Sequence, residues 1–274
     1  MVTSRATKVL SIKASSKRLP RPLSEAARRC FNLLLGFEAF NAIYSRLPPC
    51  EAIDLSRNFL DAMKVRVELD GEPRDIIPAT GPLVVIANHP FGLIEGMVLD
   101  ALLLSVRPDV TGMAVHLLAA IPEWRDRWIF VDPLRSKRKR KLNARGWRLA
   151  FQWVGRGGAM GVFPAGRVAR FQWRRWAVAD QPWSPHIAAL ARRTGAPVLP
   201  LYFHGRNSWA FQLAGILCPP LQNLCLVREI TNKRGWTLRA TLGRLIQPRE
   251  LARFSTDGEA IAFLRHETEK LGRF

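Results

Sequence analysis

Apolar positions in this chain repeat with two different periods, and the changes from one to the other mark out its elements. Over residues 24–47, Cys30, Leu33, Phe37, Phe40, Tyr44 and Leu47 recur every three or four residues, widened by Leu34, Leu35 and Ile43. This spacing predicts one amphipathic helix, stopped by Pro48-Pro49. Such a face suits a protein core and a membrane interface equally. A short helix is expected over 55–63. Val65, Val67 and Leu69 then alternate with Arg66 and Glu68, as a half-buried strand would, before a turn at Asp70-Gly71.

Farther on, β-rich runs at 83–87, 160–163 and 198–203 are separated by helical patterns at 144–154 and 185–194. Residues 256–271 read as a closing amphipathic helix, with Asp257 and Glu259 in its first turn, where the helix dipole favours acids. Strands alternating with helices predict an α/β fold. The expectation is a single domain with a mixed, mostly parallel sheet flanked by helices, preceded by an amphipathic N-terminal helical segment. There is no internal repeat and no low-complexity tract.

Charge narrows the partners. The formal net charge is +20, and between Pro133 and Ala179 there are 13 Lys and Arg and no acid. Self-repulsion of that size calls for an anionic partner, whether lipid headgroups, nucleic acid or an acidic carrier protein. The run Arg135 to Lys141 is either a solvated loop or a binding patch. Trp147, Trp153, Trp173, Trp176 and Trp183 accompany the arginines, which favours a surface at headgroup level; stacking on bases would use the same side chains. No apolar stretch approaches the roughly 18–20 residues of a membrane span. Residues 1–22 carry six cations and no acid, and are expected to form a basic flexible arm or a transit segment. Cys30, Cys50, Cys218 and Cys225 form no Cys-x-x-Cys pair, so reduced thiols in a cytoplasmic setting are expected.

The candidate chemistry lies at the end of the first buried run. There Val84-Val85-Ile86-Ala87-Asn88-His89-Pro90-Phe91-Gly92-Leu93-Ile94-Glu95-Gly96 takes a strand into a histidine and, six residues later, a carboxylate. Strand ends are where α/β sheets place their sites. Pro90 and Gly92 force a turn that can return Glu95 to the imidazole, fixing its tautomer and supporting its charged form. His89 could then remove a proton from a hydroxyl. His116, among apolar neighbours, is expected in the core. His186 and His204 have no spaced partner, and no cluster has metal-ligand spacing, so no metal and no cofactor are expected. Gly155-Arg156-Gly157-Gly158 lacks the ending of a phosphate-binding P-loop and reads as a tight turn. Ser105 and Ser136 lie outside any nucleophile elbow, which argues against a covalent intermediate on a serine.

These residues resemble the glycerolipid and lysophospholipid acyltransferases, whose hallmark is a histidine followed by four residues and an aspartate. Position 94 here is isoleucine and the acid is Glu95, one residue later. The pattern Asn-His-Pro-x-Gly-x-x-acid-Gly is similar to a branch labelled hemolysin, which includes acyltransferases making ornithine lipids and other amino-acid lipids. Phe130-Val131-Asp132-Pro133 with Arg135, Val162-Phe163-Pro164-Ala165-Gly166-Arg167 and Ala196-Pro197-Val198-Leu199-Pro200-Leu201 resemble the family's further blocks, in order. His204-Gly205-Arg206-Asn207-Ser208-Trp209 extends the likeness. Ala165 stands where the family's phosphate site has glutamate, so the acceptor is expected to differ from glycerol phosphate.

The resemblance implies an O-acyltransferase of membrane lipid biosynthesis, moving a fatty acyl group from acyl carrier protein or coenzyme A to a lyso-lipid hydroxyl. It implies His89 and Glu95 as catalytic residues and Asn88, Gly92, Arg135, Phe163, Pro164, Gly166 and Arg167 as substrate-binding ones. Its implied place is the cytoplasmic face of the membrane, peripherally on anionic lipid. The expected organisation is a basic arm at 1–22, a helical membrane-interface segment at 23–70 and an acyltransferase domain at 71–274. The alternative is an inactive basic scaffold that binds membrane or nucleic acid.

Overall fold

The computed structural model describes residues 32–33, 35–132, 137–217 and 219–273. In chain order, helices α1 (Phe37–Arg46) and α2 (Leu55–Ala62) precede strand β1 (Arg66–Asp70), the single turn α3 (Pro73–Ile76) and β2 (Leu83–Ala87). Then come α4 (Leu93–Leu104), β3 (Val110–Val115), α5 (Pro122–Arg125), β4 (Ile129–Val131), α6 (Lys137–Gly155) and β5 (Ala159–Val162). A small ribbon, β6 (Arg170–Gln172) and β7 (Ala177–Ala179), leads to α7 (Pro185–Thr194), β8 (Val198–Phe203), α8 (Trp209–Leu217) and α9 (Pro219–Thr231). β9 (Thr237–Leu242), α10 (Pro248–Ala252) and α11 (Asp257–Lys270) complete the chain.

Seven strands form one sheet in the order β1-β9-β8-β2-β5-β3-β4, parallel except where β8 meets β9, while β6 and β7 pair antiparallel on their own. The expected mixed, mostly parallel α/β sheet is therefore present. β2 lies in its centre, with every residue buried. Because side chains alternate across a strand, Leu83, Val85 and Ala87 enter the core layer that includes Phe40, Phe59 and Leu99, whereas Val84 and Ile86 enter the layer that includes Val154, Ile187 and Leu264. Parallel pairing of β2 with β5 and β8 brings the three carboxyl ends together. At the opposite end, buried Arg107 binds Asp109 and the carbonyls of Pro78 and Gly157, bolting the loops that feed β2 and β5.

Three expectations are corrected. The continuous helix over 24–47 breaks at Gly36, whose φ of 78° is left-handed and whose Cα side faces the α9 backbone: a Cβ there would lie 2.7 Å from Arg228 Cα. From Phe37 onward its apolar face is core, with Phe37, Phe40, Tyr44 and Leu47 buried; Cys30, Leu34 and the basic arm lie outside the described residues. The expected strand is present as β1, paired with β9 among the described residues, but its Val67 is exposed rather than on a half-buried face. His116 is exposed rather than in the core, edge-on to Phe130 in a short 3-10 turn.

Candidate active site

His89 follows β2 by two residues and reaches Glu95 in the first turn of α4. Its Nδ1 lies 2.9 Å from Glu95 Oε1, with the imidazole 16% exposed and the carboxylate fully buried. The same Oε1 accepts the backbone N–H groups of Phe91 (2.8 Å) and Gly92 (2.6 Å). Glu95 thus closes the helix N-terminus, where unsatisfied N–H groups and the dipole both favour an anion. The turn needs glycine at 92. Its φ is 115°, and a Cβ would lie 2.9 Å from Leu226 of α9. With a carboxylate on Nδ1, the imidazole carries its proton there and leaves Nε2 as the basic nitrogen.

Three contacts fix the histidine from outside the turn, and a clamp fixes the residue before it. Phe163, just past β5, stacks on the ring with centroids 4.2 Å apart and planes 21° apart. Ala169 N–H donates to His89 O at 2.7 Å, and His89 N–H donates to Asp180 Oδ1 at 3.1 Å. Asn88 is clamped to β8: its Nδ2 donates to Phe203 O and its Oδ1 accepts Phe203 N–H, at 2.9 and 2.7 Å.

Two positioning groups escaped the sequence reading. Buried Asp180 also accepts Trp183 Nε1–H, and its pKa is pushed up by burial, against the pull of Trp183 and His89. It is the sole acid between Asp132 and Glu229, a signal that could have singled it out. Lys233, equally buried, donates to Asn207 Oδ1 at 2.6 Å and to Glu229 O and Oε2 at 3.1 and 3.3 Å. Asn207 in turn donates to Phe91 O at 2.9 Å. Phe91 is thereby held at its N–H by Glu95 and at its carbonyl by Asn207. Burial lowers the Lys233 pKa, and Glu229 opposes that shift.

The remaining substrate-site expectations divide. Phe163 and buried Pro164 lie beside His89 and in the following turn. The Gly166 N–H, expected to help bind an anion, closes that turn onto Phe163 O at 2.9 Å. Arg167 is exposed and unpaired among the described residues, and Arg135 lies outside them. The five tryptophans do not share one surface: Trp183 is buried, Trp147 packs on His186, exposed Trp153 donates to Ala159 O, and Trp173 and Trp176 stand farthest out. His204 pairs with Thr241 Oγ1 at 2.9 Å, and burial lowers its pKa. Cys225 has its pKa raised by burial, which keeps it a thiol rather than a nucleophilic thiolate.

A family model described as acyltransferase matches residues 8–272. No curated protein matches the chain. Among solved structures it is similar to the 1-acyl-sn-glycerophosphate acyltransferase PlsC from Thermotoga maritima, at 17% identity and a TM-score of 0.49, over 81% of this chain and 79% of that one.

Proposed function

The chain belongs to the acyltransferase family, whose model spans nearly all of it, and from that premise we propose that it transfers a fatty acyl group from an acyl thioester to the hydroxyl of a lyso-lipid, with His89 as general base. The observation that carries the reading is the His89 Nδ1 to Glu95 pair at the end of the central strand. The acceptor O–H gives its proton to Nε2 as its oxygen bonds to the thioester carbonyl carbon. The tetrahedral oxyanion then collapses, the C–S bond breaks, and the imidazolium returns the proton to the departing thiolate. An ester and a free thiol result, with the histidine regenerated.

Glu95 holds the tautomer and stabilises the imidazolium, as an acid does in hydrolase triads. Phe163 and Asn88 set the ring and the strand end. Arg167, one turn beyond Phe163, is the group to meet an anionic headgroup, because a guanidinium fork suits phosphate or carboxylate. The donor is acyl carrier protein or coenzyme A, and the enzyme works peripherally on anionic lipid at the cytoplasmic face. No helix among the described residues is long and apolar enough to cross a membrane, which fits a peripheral enzyme.

The test is to incubate pure protein with labelled acyl-coenzyme A or acyl-carrier protein and a panel of lysophospholipids and amino-acid lyso-lipids. Donor-dependent diacyl product is expected. His89→Ala should lower the rate about 10³-fold, within the range general bases contribute, with an unchanged circular dichroism spectrum. Near-parental turnover in that variant would overturn the mechanism.

A further inference from the structure

The β6–β7 ribbon is bonded to His89 at both of its ends. Ala169, immediately before β6, donates to the His89 carbonyl, and Asp180, immediately after β7, accepts the His89 N–H. Its far end is Trp173-Arg174-Arg175-Trp176, all four exposed. Trp173 is 61% and Trp176 73% accessible, and both pack edgewise on Phe171 with ring centroids 5.0 and 5.6 Å away, so they stand as one aromatic wedge. Trp176 has a φ of 48°, a left-handed conformation that a bulky side chain resists. A glycine or asparagine would suit that backbone better, so the tryptophan stands there against local preference.

The neighbouring helix repeats the chemistry. Phe171 N–H donates to buried Gln212 of α8 at 3.0 Å, and on the outside of α8 Trp209, Leu213, Ile216 and Leu217 are exposed at helical spacing. Arg206 sits 4.7 Å over the Trp209 ring. A water-facing apolar stripe beside an aromatic wedge asks for a partner. The flanking charges say which: Arg174, Arg175 and Arg206 are cationic, and Asp180, the sole acid between Asp132 and Glu229, is buried. Tryptophan with arginine at an apolar edge matches the headgroup layer of an anionic bilayer.

We propose that the Trp173–Trp176 tip, with the outer stripe of α8, seats the protein in an anionic bilayer, and that the ribbon's two-point attachment presents His89 to lipid at that surface. Docking stands on the exposed residues alone; only the presentation of His89 rests on the acyl-transfer reading.

The test measures co-sedimentation with vesicles of equal phosphatidylglycerol and phosphatidylcholine, and with pure phosphatidylcholine, without acyl donor. Trp173→Ala with Trp176→Ala should weaken binding to the anionic vesicles roughly tenfold or more, from the apolar surface no longer buried. Trp176→Gly alone should weaken binding without lowering the melting temperature, since glycine accepts the positive φ. Turnover of a dispersed short-chain acceptor should be unchanged in both, while turnover of vesicle-embedded acceptor falls. Parental vesicle affinity in the double variant overturns the proposal. So does retained vesicle binding with lost affinity for acyl carrier protein, which would make the wedge a protein-docking surface. If the parent transfers no acyl group yet the double variant loses vesicle binding, docking stands and only the acyl-transfer reading falls.

Discussion

Glu95 and Glu259 each occupy the third residue of a helix and fold back onto the backbone before it. Glu95 accepts from Phe91 and Gly92 N–H; Glu259 accepts from Ser255 and Thr256 N–H at 2.9 and 3.0 Å. At α11 the cap is complete and solvated, because Thr256 Oγ1 returns a bond from Glu259 N–H. At α4 the cap residue is glycine, the carboxylate is buried, and its Oε2 has no hydrogen-bond partner among the described residues. Six residues upstream stands His89 in one case and Arg253 in the other, the latter lying over the rings of Phe254 and Phe263. One local device thus serves helix stability at the surface and orients an imidazole in the interior. The glutamate-to-backbone half of the cap is shared; the difference lies in burial, in the neighbour and in the returning bond that a glycine cap cannot make.

Glu95→Gln should separate the two roles most sharply. The amide oxygen can still cap Phe91 and Gly92, but the charge facing the imidazole is gone, so acyl transfer should fall about 10²- to 10⁴-fold with thermal stability only modestly changed. Parental kcat would show that Glu95 is a cap like Glu259 and nothing more. Next in size is Lys233→Met, aimed at the outer support that α11 lacks. Removing the cation leaves buried Glu229 without its counter-charge, held among the described residues only by the Ser208 N–H and hydroxyl, a loss of about 3 kcal/mol by denaturant titration, with Phe91 less well held.

Glu259→Gln should cost about 0.5–1 kcal/mol and leave turnover untouched; a drop in kcat would break the contrast from its other side. The smallest effect belongs to Glu250, which caps α10 and is held by Arg244 at a pKa of about 2 instead of 4.5. A depressed carboxyl contributes its stability above the unfolded value and loses it as pH falls. The slight destabilisation of Glu250→Gln at pH 7 should therefore fade between pH 4.5 and 2 when melts of parent and variant are compared.

How much could be read in advance follows from range. The His89-to-Glu95 pairing is local, six residues with a proline and a glycine between, and the text of the chain foretold it. So did β2, β8 and α7, whose apolar runs are continuous or strongly periodic. The helix broken at Gly36 was misread because the cause sits on α9, nearly two hundred residues away. The staple from His89 to Asp180 and Asn88's grip on Phe203 could not be read for the same reason: each joins groups about a hundred positions apart that the sheet order brings together. The ribbon β6–β7 was missed because three-residue strands carry too few positions to show a period.

The clamp of Asn88 on Phe203 also bears on the order in which the protein is made. Its two partners are separated by 115 positions, the staple from His89 to Asp180 by 91 and the bond from Asn207 to Phe91 by 116. As the chain leaves the ribosome, the histidine and its glutamate emerge early and wait, through more than a hundred further residues, for the groups that hold them in place. A chain stalled before residue 203 would carry the full histidine motif and still lack the Asn88 clamp and the Asn207 bond that hold it.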